Sequence, residues 1–532
     1  MVLWDDACRA SGGLDVIRSR LGLAVVVCSV LVAACVPTAP VPAPEFTMGN
    51  FDLAGSRSIP VSTGEQLTKA NLAQSGFQLK WNAPTDGFVA GAAATSGDRV
   101  VVGDITGQVY AFNRVDGTLI WKTCVEAVCP GTVLFSSGVI ASPLVDNQRV
   151  FIGTLSGSMV ALDLATGSIL WRNTPQITSP RVTPTGPIPV DGVWSGAIPV
   201  GDNIVFAINP NDEFGTGKFG RGAVVAVDAA TGSEVWRRPV ISDADFATGS
   251  TGAGIWNTTP TYSPELGLIF VGTGQDTDPT GGYAGSDSFF AIHASDGSVA
   301  WQTQVRTGDT WNSSLPFDPM HPTDMDVGDS PAVFQLNGQY MVAAGDKAGV
   351  FWVLDATTGS ILNNGGAGLN LFGGQLPGPG YRGGFSLDSG FMTTGGTVRH
   401  FGVFADFTAS LQNVVDTFPG GVCSANGFCP FTPDSSSLEI LKGDGSTVEC
   451  SFKVQASQLF SPLNLGDLIF VAGAQNATLY AIDAQTCAVV STFPLPSGPS
   501  QGAQLSISNG TIFAGGGYFG STGLQALGVA GA

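Results

Sequence analysis

The sequence predicts an all-β ring of eight four-stranded antiparallel blades, a β-propeller, on three observations. The 532 residues include 73 Gly and 32 Pro, residues that punctuate rather than propagate helices. Only 12% of the chain is charged while 43% is hydrophobic, which excludes a disordered chain, a coiled coil and a solvated helical rod. The third observation is an internal repeat: an apolar strand ending in Asp, a short spacer with Thr-Gly or Asp-Gly, and a second strand ending in Trp.

Four copies share one register: VYAFNRVDGTLIW (109–121), MVALDLATGSILW (159–171), VVAVDAATGSEVW (224–236) and FFAIHASDGSVAW (289–301). Weaker copies are FWVLDATTGSILN (351–363), SLEILKGDGSTVE (437–449) and LYAIDAQTCAVVS (479–491). Each copy reads as two strands joined by a tight turn whose Gly supplies the positive φ, with the Trp giving its strand a large packing payload. Two further strands precede most copies, as in SGAIPV (195–200) with DNIVFAI (202–208), or PTYSP (260–264) with GLIFVGTG (267–274). The unit is therefore a four-stranded sheet, and such sheets repeated around an axis leave only short, protected edges.

The last strands fall at 81, 121, 171, 236, 301, 363, 449 and 491, a spacing of about 59 residues, so eight blades consume nearly the whole chain. Seven blades is the alternative count. Strands GAQLSIS (502–508), TIFAGGG (511–517) and GLQALGV (523–529) lack a Trp strand of their own, whereas FQLKW (77–81) is a lone Trp strand near the N-terminus. The eighth blade is therefore expected to be completed by both chain ends.

With 22 Lys+Arg against 42 Asp+Glu, the net charge of −20 repels phosphate backbones and argues against nucleic acid as a partner. The one long apolar run, residues 21–34, follows Arg18 and Arg20 and is too short to span a bilayer, so it reads as a secretory signal. The run Val32-Ala33-Ala34-Cys35 resembles a bacterial lipobox, in which cleavage before Cys35 leaves a thiol for lipidation. The expected organisation is a signal peptide at 1–34, a lipidated, Pro/Ala-rich tether at 35–48 and one propeller domain at 49–532. The expected location is the periplasmic face of the outer membrane or the outer cell surface.

Six cysteines follow Cys35 in what would be a disulfide-permissive compartment. Cys124 with Cys129 and Cys423 with Cys429 are plausible local staples, leaving Cys450 with Cys487. No CxxC or CxxCH occurs, so a zinc ribbon and covalent haem are unsupported, and His293, His321 and His400 have no ligand spacing.

The AxDxxTGxxxW unit resembles the repeat of pyrroloquinoline quinone (PQQ) dehydrogenases over nearly the whole propeller. The opening GNFDLAGSRS (49–58) is most similar to the polyvinyl-alcohol-dehydrogenase-like branch. The resemblance implies a PQQ-dependent alcohol dehydrogenase with Ca²⁺ or a lanthanide, passing electrons to a separate cytochrome or other acceptor. Carried over residue by residue, it implies Glu213, before Arg221-Gly222, as a metal ligand and Arg221 beside the cofactor. Gln275 takes the place of an Asn ligand. Trp256 matches the floor of the planar quinone, and Lys347 in AAGDKAGVFWVLD the contact to its oxygens. Where alcohol-oxidising relatives have Trp-Asp, this chain has Trp311-Asn312, which cannot act as a base. Asp324-Met325-Asp326-Val327-Gly328 matches the D-x-D-x-G of the polyvinyl-alcohol branch instead, implying Asp324 as catalytic base and metal neighbour and Asp326 as a second metal-side carboxylate.

These residues fall in loops joining the second strand to the third, or one blade to the next, which emerge on a common face of a propeller. An insertion at 408–436 lands on the same face as a possible lid. A secondary or polymeric alcohol suits a mouth of low charge. The alternative reading is a non-catalytic propeller lipoprotein, resembling the scaffold of outer-membrane protein assembly.

Overall fold

The computed structural model describes residues 45–61, 66–129, 137–175, 191–210, 220–256, 259–278, 282–311, 325–366, 368–370, 389–406, 435–495, 504–516 and 522–531. Glu213, Asn312, Asp324, Cys35, Cys423 and Cys429 lie outside the described residues, as does nearly all of the 408–436 insertion. No described helix is long and apolar enough to cross a membrane.

Eight sheets are present. Blades 1 and 2 begin at Ala94–Ser96 and Leu144–Asp146, and blades 3 and 4 at Ile198–Val200 and Thr261–Ser263. Blades 5, 6 and 7 begin at Ala332–Leu336, Gly390–Thr394 and Leu459–Leu465. The eighth contains Leu505–Ser508, Thr511–Gly515, Leu524–Val529 and, as its outer strand, Phe77–Ala83. Phe77 pairs with Val529 and Ala83 with Leu524, so the two ends of the chain close the ring as the sequence implied.

The local reason for each blade is visible in its turn. Asp228 Oδ1 accepts from the Thr231 amide and hydroxyl, both at 2.8 Å, and Gly232 follows at φ 72°. Asp163 does the same with Thr166 before Gly167. The Thr hydroxyl bonds hold both carboxyls below their usual range, the mark of a side chain committed to the turn as an anion.

The hydrophobic core lies between blades rather than within them. One cluster joins Val109 and Trp121 of blade 1 to Val150 and Leu162 of blade 2, and another joins Phe270 of blade 4 to Val342 and Trp352 of blade 5. At five of the eight junctions a Trp of one blade covers the turn Gly of the next. A Cβ on Gly167 would stand 2.6 Å from the Trp121 ring, and one on Gly232 the same distance from Trp171. The Trp Nε1 donates to a carbonyl of the next blade, Trp121 to Leu164 at 2.9 Å and Trp171 to Ala229 at 3.1 Å. Burying each indole stabilises its junction by roughly 2–3 kcal/mol.

Three junctions depart from this pattern; at the one between blades 7 and 8, Ser491 stands in the Trp position opposite Ala481. In blade 5 the fourth strand is expected to end at position 363, but it forms at Leu369–Asn370 instead. Asn363 stands where the Trp is missing, buried, and its amide nitrogen donates to Phe351 O at 2.9 Å and to Gly445 O of blade 6 at 3.1 Å. It also accepts from Val353 N, so a side chain takes over ladder bonds and displaces the strand. Between blades 6 and 7, Cys450 occupies the Trp position, opposite Ile440, and is disulfide-bonded to Cys487 in the next turn. The Cys124–Cys129 disulfide is also present.

The N-terminal segment runs along the innermost strands as a strap. Thr47, Leu53, Ala54, Ser56 and Arg57 carbonyls accept, in turn, from Val145, Tyr262, Val333, Phe391 and Asn464 amides of blades 2, 4, 5, 6 and 7. Phe46 exchanges a bond with Thr95 of blade 1. Arg57 is wholly buried and donates to Pro462 O and to Ser461 Oγ. Phe46 and Met48, at the end of the stretch read as tether, are buried in this strap.

Candidate functional site

The site is assembled where loops of blades 3, 4 and 5 converge. Segment 250–256 is wedged between blades 3 and 4, its Ala253 amide donating to Gln275 O at 2.8 Å and its Ile255 amide to Ile208 O at 3.3 Å. Gly254 is required there, since a Cβ would lie 1.9 Å from Asn209 Oδ1. Trp256 ends this segment and projects its indole nitrogen to Asp326 Oδ2 at 2.8 Å.

Lys347 arrives from the opposite side on the second turn of blade 5. Asp346 closes that turn by accepting from Val350 N at 2.9 Å, and Gly349 takes φ 79°. The Lys347 amide donates to Asp326 O, and its ammonium lies 2.7 Å from Asp326 Oδ2 and 4.6 Å from the centroid of the Trp256 ring. Asp326 Oδ1 accepts from the Gln275 amide at 2.8 Å, and the Gln275 side chain donates to Trp311 O at 3.3 Å. Asp326 is 1% exposed and Lys347 8%. A cation over an indole face, held by a carboxylate shared with the indole nitrogen, suits a planar, oxygen-rich ring system.

Of the sequence-predicted residues described, Trp256, Gln275, Asp326 and Lys347 are thus brought together. Arg221 is not. Its guanidinium donates to Ile241 O at 2.8 Å and Asp243 Oδ1 at 2.6 Å and stacks 4.8 Å from the Phe246 ring, anchoring the short helix Asp243–Thr248.

Trp256 is backed by buried apolar side chains. Phe88, Ala90, Ile140, Leu155 and Trp194, from loops of blades 1 to 3, form a cluster against which Ile105 and Trp256 pack.

Two family models match this chain. One is described as glucose/ethanol/alcohol dehydrogenase, beta-propeller domain, over residues 189–364, and so contains Trp256, Gln275, Asp326 and Lys347. The other, described as outer membrane protein assembly factor BamB, matches residues 57–248. Both are PQQ-repeat families, and eight sheets in a ring carry that repeat. The chain folds as a propeller whose residues 57–364 match PQQ-repeat families.

A polyvinylalcohol dehydrogenase of Sphingopyxis sp. is 30% identical over 304 residues, covering 52% of this propeller and 44% of the relative. Another, from Pseudomonas sp., is 29% identical over 305 residues, covering 54% and 46%. The chain thus spans less than half the length of these curated relatives. Among solved structures, the quinohemoprotein alcohol dehydrogenase ADH-IIG of Pseudomonas putida superposes with a TM-score of 0.66 over 92% of this chain and 81% of its own, at 17% identity. That likeness concerns the fold.

Sequence reading of the propeller missed three charged groups beside the site: the buried Asp287 and Asp309 and the half-buried Arg306. Arg306 donates to Asp346 Oδ2 at 2.7 Å. No motif marks these residues, because their proximity arises only when the loops of blade 4 fold against blade 5.

Proposed function

We propose that the protein is a PQQ-dependent alcohol dehydrogenase. The observation that carries the reading is the Lys347 ammonium held over the Trp256 indole by Asp326. The described residues suit the cofactor, Trp256 as a flat apolar floor and Lys347 as a cation for quinone oxygens, while Gln275 and, from the sequence, Glu213 would supply oxygen ligands to a hard cation. When bound, metal-associated PQQ supplies a two-electron acceptor for hydride.

The chain's own residues orient and exclude. Trp256 and Lys347 share Asp326 Oδ2 while Gln275 N holds Oδ1, so Asp326 is a positioning carboxylate that fixes both cofactor-facing groups. Asp324, from the sequence, is the proposed acceptor of the alcohol proton. The buried apolar cluster of Phe88, Ile140 and Trp194, packed on Trp256, excludes water from that side of the floor; the proposed substrate is a secondary or polymeric alcohol.

We further propose export as a Cys35-lipidated protein and electron transfer to a separate acceptor. The similarity of residues 57–248 to BamB supports a second reading, an envelope assembly scaffold without cofactor. Reconstitution separates the two. The exported chain is expected to bind PQQ with Ca²⁺ or a lanthanide and to reduce a dye with secondary alcohols, with Asp324→Ala abolishing turnover. Failure to bind PQQ with any metal overturns the enzyme reading.

A further inference from the structure

We propose that Asp287, Asp309 and Asp326 form a buried site for a hard cation, Ca²⁺ or a trivalent lanthanide, between blades 4 and 5. The site uses only Asp326 of the residues assigned to the quinone, and its existence does not depend on quinone binding.

The three side chains are 0%, 5% and 1% exposed, and one carboxylate oxygen from each lies within 4.8 Å of the others. Ligand oxygens at opposite sides of a calcium ion stand about 4.8 Å apart, so the three fit within one coordination sphere.

Asp287 supplies the decisive second observation. Both its oxygens are buried without a hydrogen-bond partner, and the adjacent Ser286 hydroxyl is committed to Tyr283 O at 3.0 Å. An ionised carboxylate so placed is costly unless a cation meets it. Asp309 Oδ2 accepts from Met325 N at 2.6 Å and Asp326 Oδ1 from Gln275 N, which holds both carboxylates in place beside Asp287. The neighbouring Thr310 hydroxyl is also buried without a partner.

The cationic side chains at hand are already engaged, Arg306 with Asp346 and Lys347 with Asp326 Oδ2. An all-oxygen ligand set selects a hard ion.

The test uses the full exported chain, stripped with EDTA and never exposed to PQQ. Calorimetric titration with Ca²⁺, and Tb³⁺ luminescence sensitised by Trp, are expected to show one site. Asp287→Asn and Asp309→Asn should each weaken it at least tenfold, whereas Glu213→Gln retains it. Asp287→Asn should melt at or above wild type in EDTA, because an unpaired buried carboxylate is gone, but should lose the Ca²⁺-induced rise in Tm. No binding by wild type without quinone, unchanged affinity in Asp287→Asn, or equal loss in Glu213→Gln overturns the proposal. The absence of PQQ from these titrations separates this outcome from failure of the quinone reading.

Discussion

Cys450 and Cys487 are bonded to each other at the place where five other blade junctions set a Trp against a Gly. Cys450 takes the indole's position on the outer strand, and Cys487 takes the Gly position in the next turn, even keeping its positive φ of 57°. A packing contact has become a covalent one across 37 residues of chain.

Cys450→Ser with Cys487→Ser is therefore expected to lower stability by about 2–4 kcal/mol. Chemical denaturation of both proteins in a reducing buffer, where they should converge, checks that the loss belongs to this bond.

The Trp–Gly junctions predict a graded response to added methyl groups. Gly232→Ala pushes a Cβ to 2.6 Å from the Trp171 ring at φ 72° and should cost about 1–3 kcal/mol. Gly201→Ala meets the same backbone restriction at φ 60° with nothing within 4 Å and should cost about 1 kcal/mol or less. Equal losses in urea denaturation would show that the junction contributes nothing beyond φ.

The turn sequence Asp-x-x-Thr-Gly and the terminal Trp are legible because each determines its geometry within a few residues, and their period gave the ring. Asn363 was legible only as a gap in the pattern, since its partner Gly445 belongs to another blade; the Cys450–Cys487 pair was reached by elimination among the cysteines, and its place at a blade junction emerges only in the fold. The site divided similarly. Trp256 and Lys347 lie in recognisable strings, whereas Asp287 sits in GSDSFF, an unremarkable approach to a strand, and meets Asp309 and Asp326 only in three dimensions. Arg221 was drawn toward the cofactor by its string and is instead spent on Ile241 and Asp243.

Stability should fall in mild acid through His400. The ring is fully buried, edge-on to Phe334 at 4.6 Å, and burial pushes its pKa down to about 4 from 6.5. The folded state holds it neutral while the unfolded chain protonates below about 6.5, so stability is lost as pH falls from 6.5 toward 4. The loss by pH 5 is about 2 kcal/mol. Stability measured from pH 7 to 5 should be flatter in His400→Gln than in wild type; parallel profiles would refute this.

Asp326→Asn leaves the buried Lys347 ammonium without its carboxylate and should destabilise the protein by about 3–5 kcal/mol in EDTA. The double variant Asp326→Asn/Lys347→Met should recover part of that loss. Additive losses in guanidinium denaturation would show that the pair is not coupled.

The most direct test of the account is a PQQ titration of the exported chain with Ca²⁺ or a lanthanide, followed by quinone absorbance and Trp fluorescence, in wild type, Lys347→Ala and Trp256→Leu. The account predicts saturable binding by wild type and a loss of about tenfold or more in each variant, since a desolvated cation contact or a lost ring surface is worth about 1.4 kcal/mol or more. Wild-type affinity in both variants, or no binding by wild type, would contradict it.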